Sequence, residues 1–142
     1  MSFRFHHKIY IKGHLLGWKK NHHFDTLLAK LKPAPNVDPW PESTCIAVAW
    51  SLATDGWISP RRFELGVDGK NRELMEALWS LVRPVGSFGY LPSRQTWRWR
   101  VRAAREILWV LLQVMPYLPA KKKRAERLMR KCLEKIKKSV VL

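Results

Sequence analysis

Acidic residues are scarce in this chain. Its 142 residues contain 11 Asp and Glu against 27 Lys and Arg, which gives a formal net charge of +16 at pH 7. Such an excess of positive charge favours a polyanionic partner, either nucleic acid or an anionic membrane surface. The 8 tryptophans are interleaved with the arginines, and arginine beside aromatic rings is typical of contacts with phosphates and bases. Nucleic acid is therefore the favoured partner.

Cysteines and long apolar runs are also few. Cys45 and Cys132 match neither a metal-ligand spacing nor a disulfide framework, which favours packing roles in a reducing intracellular compartment, the cytoplasm or an organelle. The longest apolar stretch, Ile107 to Met115, contains Gln113 and is much shorter than the roughly 20 residues that cross a bilayer. The N-terminus has no clean apolar run before a cleavage site. We therefore expect no membrane partner and no secretory signal.

Prolines divide the chain into two parts. Four of them lie between Pro33 and Pro41, and because proline has no backbone donor they predict a stiff connector. Residues 1–43 are thus predicted to be a basic extension with a Pro-rich connector, and residues 44–142 a folded domain. No carboxylate or cysteine accompanies the histidines at ligand spacing, so an exposed basic arm is favoured over a metal site. All five histidines lie in the extension: His6, His7, His14, His22 and His23.

A short apolar helix opens the predicted domain. Ser43 and Thr44 are candidate N-caps for a helix that runs to Thr54 and is apolar on nearly every side. Such a helix must be buried all round, which in so small a domain suggests that a second copy packs against it. Gly56 is expected to end the helix with a positive φ. Asp55 then opposes the helix dipole, so a cation, most naturally a divalent one, should compensate it.

Four strands and three more helices follow. In Thr96 to Arg102, alternation places Trp97, Trp99 and Val101 on one face and the arginines on the other, so the two tryptophans are interpreted as core residues. The fold class is therefore α+β. The other predicted elements are two strands within Trp57 to Asp68, a helix from Arg72 to Val82 capped by Asn71, a strand from Gly86 to Leu91, a helix from Ala104 to Met115, and a basic helix from Lys121 to Lys138.

The element order and the residues around Asp55 resemble the LAGLIDADG homing endonucleases. The segment Val48 to Ile58 aligns with the family signature, Phe63-Glu64-Leu65 lies on the second strand, and Pro116-Tyr117-Leu118 precedes Lys121. The resemblance covers roughly Thr44 to Leu133 and implies an αββαββα core with a curved four-stranded antiparallel sheet, here with an added C-terminal helix. Trp50 replaces the signature glycine and Ala53 replaces its first acid.

The resemblance also implies a chemistry. Asp55 would bind Mg²⁺, Glu64 would order water and Lys121 would stabilise developing charge during phosphodiester hydrolysis. A single signature implies a homodimer, with an interface at Ala49, Trp50 and Ala53, that cuts a pseudo-palindromic site in double-stranded DNA for the mobility of an intron or intein.

The predicted DNA contacts lie on the polar face of the sheet. A strand of about eight residues would cover about 26 Å, or about eight base pairs per half-site. The candidate DNA-binding residues are Arg61, Arg62, Lys70, Arg94, Gln95, Arg98, Arg100 and Arg102.

Three alternatives stay open on the sequence alone. The same fold serves intron RNA maturases, so RNA is a possible partner. A DNA-binding regulator that has lost cleavage is a second alternative, which the alanine at position 53 favours. A peripheral membrane protein that uses the helix from Lys121 to Lys138 is weaker, because the apolar stripe of that helix is narrow.

Overall fold

The computed structural model describes residues 8–11, 14–17 and 22–140, and their helices and strands form an α+β fold. The fold class predicted from the sequence is therefore confirmed. The elements are β1 (Lys8–Ile11), β2 (His14–Gly17), α1 (His22–Leu31), α2 (Glu42–Thr54), β3 (Gly56–Ser59), β4 (Glu64–Gly69), α3 (Arg72–Val82), β5 (Ser87–Leu91), β6 (Thr96–Val101), α4 (Ala104–Val114), a 3₁₀ turn (Met115–Tyr117) and α5 (Lys122–Val140).

The residues that the structure describes form two sheets. β1 and β2 form an antiparallel hairpin in the N-terminal segment. The larger sheet has four antiparallel strands in the order β3-β4-β6-β5, so the second strands of its two hairpins lie side by side at the centre. The predicted four-stranded antiparallel sheet is confirmed.

The two faces of the larger sheet differ in polarity. Its register pairs Leu65 with Val101 and Val67 with Trp99, and these four side chains are buried against the helices. The predicted inward direction of Trp99 and Val101 is confirmed. We call the opposite side the outer face; β4, β6 and the residue after β6 contribute to it Glu64, Gly66, Asp68, Arg98, Arg100 and Arg102.

The side-chain cap predicted from the sequence is present at the N-terminus of α3 but not at that of α2. Asn71 caps α3 as predicted, since its Oδ1 accepts a hydrogen bond from the Leu74 amide (3.1 Å). The predicted Ser43 and Thr44 caps of α2 are wrong. The helix begins at Glu42 directly after Pro41, whose carbonyl accepts from the Cys45 amide (3.1 Å).

Gly56 is needed for close packing rather than for a left-handed turn, so the predicted positive φ is wrong. It is the first residue of β3, and the positive-φ glycine of the described chain is Gly86. A Cβ at position 56 would overlap the Gly66 carbonyl oxygen and lie 2.8 Å from the Leu52 Cα. A side chain there would therefore separate the end of α2 from β4.

The Pro-rich connector and α1 belong to the core. Leu28, Leu31, Val37 and Trp40 are buried in the same hydrophobic cluster as the sheet and helices. The Trp40 amide donates to Gln113 Oε1 (2.6 Å), so a buried polar residue of α4 anchors the connector. Among the described helices, none has the length and apolar character that crossing a bilayer requires.

Candidate active site and nucleic-acid interface

One flank of α2 is apolar and open to solvent. Val48, Ala49 and Leu52 are completely buried in the core of the chain, whereas Ile46 is 38% exposed and Trp50 52% exposed. Ala47 is also exposed and Ala53 is partly exposed. We call these outward residues, Ile46, Ala47, Trp50 and Ala53, the α2 flank. Contrary to the sequence prediction, Ala49 offers no contact surface to a partner, because its side chain is used inside its own chain.

Asp55 lies at the end of this flank. It is the C-cap residue of α2, and its amide donates to the Ser51 carbonyl (3.1 Å). Its side chain is exposed and makes no hydrogen bond or ion pair with the rest of the described chain. A carboxylate here adds to the negative end of the helix dipole, which destabilises the helix. The arrangement leaves both carboxylate oxygens free to bind a cation.

Lys121 is fixed beside Asp55 by the backbone. Its Nζ donates to the carbonyls of Leu52 (2.9 Å) and Gly56 (2.8 Å), and the residue itself has a φ of +70°. Partial burial and the neighbouring Arg124 lower the pKa of Lys121, and the attraction of Asp55 opposes that change. Since an ammonium has three donors, one N–H is left beyond the two carbonyls. The structure thus brings together Asp55 and Lys121 of the predicted catalytic set.

Glu64 lies elsewhere. The hairpin of β3 and β4 pairs Ser59 with Glu64 at one end and Gly56 with Val67 at the other, so Glu64 is three strand positions, about 10 Å, from the end that Asp55 precedes. Its carboxylate is almost buried and accepts from Trp57 Nε1 (2.8 Å). The structure therefore does not unite Glu64 with the other two predicted catalytic residues.

Asp68, which sequence reasoning did not single out, lies on β4 one position beyond the residue that pairs with Gly56. Counting outward from the turn over residues 60–63 would have found it, because antiparallel pairing then sets Gly56, the residue after Asp55, opposite Val67, the residue before Asp68.

Charged side chains on the outer face are paired with one another. Arg98 makes two hydrogen bonds to Asp68, from Nε (2.7 Å) and Nη2 (2.9 Å), and these bonds raise the pKa of the guanidinium. The same guanidinium lies 5.2 Å from the centre of the Trp57 ring. Arg102 Nε is 3.9 Å from Glu64 Oε1. Two of the three predicted groove-facing arginines therefore have carboxylate neighbours in the free protein.

Arg100 differs from its neighbours. It lies opposite Gly66 on β4 and Ser87 on β5, between Arg98 and Arg102 on the outer face. Its Nε is buried and has no hydrogen-bond partner within the described part of the chain. An unpaired buried donor is costly, so Arg100 is the outer-face arginine most in need of an acceptor from a ligand.

The remaining predicted DNA contacts lie at the two ends of the sheet. β4 and β6 have six residues each, so the outer face is about 20 Å long and spans about six base pairs, fewer than the sequence suggested. All of these end residues are exposed. Lys70, Arg94 and Gln95 lie at one end of the sheet, and Arg61 and Arg62 lie in the β3–β4 turn at the other.

Among the described residues, Asp55 offers a cation one exposed carboxylate rather than a complete ligand set. The residues that the structure describes contain no group of three His, Cys, Asp or Glu side chains able to hold a metal ion, and the side chains of the five histidines lie outside those described. Mg²⁺, however, is commonly held by one or two carboxylates together with substrate phosphates and water. The free carboxylate of Asp55 fits that pattern.

Comparison with known proteins gives no family for this chain. No protein-family model matches the sequence, and no match is found among curated proteins.

Proposed function

We propose that this chain is a LAGLIDADG-type homing endonuclease, a hydrolase that cuts double-stranded DNA as a Mg²⁺-dependent homodimer. The finer fold belongs to the same proposal: α2, β3, β4, α3, β5, β6 and α4 would be the αββαββα core of that family. The sheet order β3-β4-β6-β5 and the position of Asp55 at the end of α2 support the proposal. The resulting cut would serve the mobility of a host intron or intein.

The observation that carries the proposal is the open α2 flank that ends in a free carboxylate. Two copies related by a two-fold axis would bury Ile46, Ala47 and Trp50 against the same residues of the second copy. The two Asp55 side chains would then come close together, and like charges at short distance need a cation between them. DNA phosphates beside that cation would complete its ligands.

Different residues of the chain have different roles in the proposed hydrolysis. Asp55 would hold the cation, and a cation bound there would supply Lewis-acid chemistry to the scissile phosphate and to an attacking water. Lys121 donates its remaining N–H to the charge that develops on the phosphate, and its two backbone hydrogen bonds keep the ammonium in place beforehand. Arg100 and the exposed basic residues at the sheet ends bind the duplex, whose major groove admits a two-stranded β-ribbon.

The test is cleavage of a duplex library by the wild type and by Asp55→Asn, in Mg²⁺ and in Ca²⁺. We expect double-strand cuts by the wild type in Mg²⁺ only. Asp55→Asn should bind DNA at least as tightly, because it removes a negative charge, yet lose more than about a hundredfold in cleavage rate, since even residues that only support a metal ligand contribute that much. Asp38→Asn, which removes the same charge from an exposed residue of the connector, is the matched control and should cut normally.

A DNA-binding regulator is the second candidate. Trp50 favours it, because an indole that is half exposed in the α2 flank would hold two copies of the helix further apart than a glycine would, and Ala53 supplies no second acid. Tight binding of DNA without cleavage of any sequence would establish this candidate. Preference for a structured intron RNA over duplex DNA would instead indicate a maturase.

A further inference from the structure

An open cleft of about 350 Å³ lies between the first half of α5 and the β3–β4 turn. β3 is an edge strand of the sheet, so the cleft borders the sheet on its free side. Its lining residues are Trp57, Ile58, Ser59, Pro60, Arg61, Arg62, Arg124 and Arg127.

Charge of one sign dominates this cleft. Four of its eight lining residues are arginines, and none is acidic. In the described chain the guanidiniums of Arg61, Arg62, Arg124 and Arg127 make no ion pair or hydrogen bond. Arg124 also lies in the first turn of α5, where a cation opposes the helix dipole. Helix stability therefore does not explain these arginines.

Other residues hold the two walls of the cleft in place. Lys131 Nζ donates to the Pro60 carbonyl (2.9 Å), and Lys135 Nζ lies 5.0 Å from the centre of the Phe63 ring. Within the turn, the Arg62 amide donates to Ser59 Oγ (3.0 Å). Since lysines and backbone groups fix the spacing of the walls, the arginine side chains are left for a ligand.

We propose that this cleft binds a backbone phosphodiester of duplex DNA, with Arg124 and Arg127 on one wall and Arg61 and Arg62 on the other. The proposal rests on the proposed function for its partner. Guanidiniums bind phosphate oxygens through paired N–H donors. Trp57 joins the cleft to the outer face, because its ring lines the cleft and also lies against Arg98. The phosphate is therefore held at the rim of the face that reads the groove.

The cleft changes the expected role of two residues. Arg61 and Arg62, predicted from the sequence as DNA contacts on the sheet, face the α5 arginines across the cleft and hold the backbone rather than base edges. Contacts of this kind set register and affinity, and they carry no sequence information directly. Arg124 and Arg127 are additional contacts that α5 supplies.

The experiment compares two double variants that remove equal charge from α5. Arg124→Gln/Arg127→Gln removes both positive charges from the α5 wall of the cleft. The matched control is Arg130→Gln/Lys137→Gln, which replaces exposed residues outside the cleft. Binding to a short labelled duplex is measured by fluorescence anisotropy in Ca²⁺ at several salt concentrations. The slope of log K against log salt should become shallower by about 0.9 for each phosphate that the variant no longer neutralises. We expect this change, with a fall in affinity on the order of tenfold for every duplex sequence, in the cleft variant and a much smaller one in the control.

A double-mutant cycle tests whether the two walls share one phosphate. Arg61→Gln/Arg62→Gln should weaken DNA binding by a similar factor. The quadruple variant should weaken it by clearly less than the product of the two separate factors, because one wall alone holds the phosphate poorly and most of the binding is already lost in either double variant. Circular dichroism and thermal midpoints should be unchanged, since all the replaced side chains are exposed or line an open cleft.

The outcomes separate the cleft from the nuclease. If the cleft variant and the control variant have the same DNA affinity and the same salt slope, the cleft does not bind a phosphate. That result would not affect the test of cleavage by the wild type. A wild type that never cuts DNA, combined with a cleft-specific fall in the salt slope, would overturn the nuclease and support the cleft. Weaker binding to phosphatidylserine vesicles with unchanged binding to DNA would assign the cleft to a membrane surface and overturn the proposal.

Discussion

At the scale of single residues, the environment of each charge decides what it can do. Arg98 and Arg100 are neighbours on the same face of β6, yet Arg98 is paired with Asp68 and Arg100 keeps an unpaired Nε. Lys121 combines two tasks, since its ammonium binds the carbonyls of Leu52 in α2 and Gly56 in β3 and also lies beside Asp55. Sequence alternation alone treats all of these cations as equivalent.

Asp68→Asn tests how the outer face is neutralised. The change removes the negative charge and replaces one of the two acceptor oxygens of a partly buried pair by an NH2 donor, so we expect the free energy of unfolding to fall by about 1 to 3 kcal/mol. It also releases the Arg98 guanidinium for DNA phosphates. Affinity for duplex DNA in Ca²⁺ should therefore rise, and the salt slope should steepen by up to about 0.9. Urea unfolding and anisotropy titrations measure the two effects.

Asp38→Asn provides the charge-matched comparison for this prediction. Asp38 is highly exposed and lies 3.5 Å from Lys32 in the connector, so its replacement adds the same net charge at a distance from the outer face. If both variants tighten binding equally, net charge explains the result and the Asp68–Arg98 pair does not restrain the DNA contact.

At the scale of elements, glycine controls how closely the outer face packs. A Cβ at Gly66 would overlap the Trp99 carbonyl oxygen and lie 2.7 Å from the Trp57 ring. The flat indole can therefore lie across β4 only because position 66 has no side chain. Arg98 and Glu64 both contact that indole, so Gly66 indirectly positions the charged residues of the face.

Gly66→Ala is expected to displace Trp57 and lower the free energy of unfolding by about 1 to 3 kcal/mol, the usual cost of forcing an extra group into a packed site. Tryptophan fluorescence and urea unfolding should both report the change. Gly89→Ala, in β5 of the same sheet, is the control, because a Cβ there meets nothing within 4 Å, and it should change stability by about 0.5 kcal/mol or less. Equal effects of the two variants would contradict the packing argument.

Local patterns were sufficient to predict most of the strands of the larger sheet and most of its helices, but not their relative positions. The Asn71 cap and the alternation in β6 act over a few residues, so the sequence indicates them directly. The separation of Glu64 from the end of the hairpin that Asp55 precedes depends on the register of β3 and β4, which the turn sets. The Arg61–Arg127 cleft joins elements far apart in the chain, and no short pattern encodes such a contact.

At the scale of the whole molecule, the question is which surfaces remain for a partner. The sequence predicted that α2 is buried on all sides. Within one chain only part of its surface is buried: Ala49 and Leu52 lie in the core, whereas Ile46 and Trp50 are exposed. The buried half explains the folding of the monomer. The exposed half is the part that the proposed homodimer would cover.

Trp50→Glu tests that homodimer. Two-fold symmetry would bring the two introduced carboxylates together in an apolar interface, where like charges repel and lose hydration. We expect sedimentation velocity to show a dimer for the wild type and a monomer for Trp50→Glu, with the monomer folded and unable to make double-strand cuts although Asp55 is intact. Leu74→Glu is the matched control, since Leu74 is 68% exposed on α3 and its replacement should leave the dimer and the cleavage unchanged. A wild type that cuts both strands while sedimenting as a monomer on DNA would show that the α2 flank is not the dimer interface.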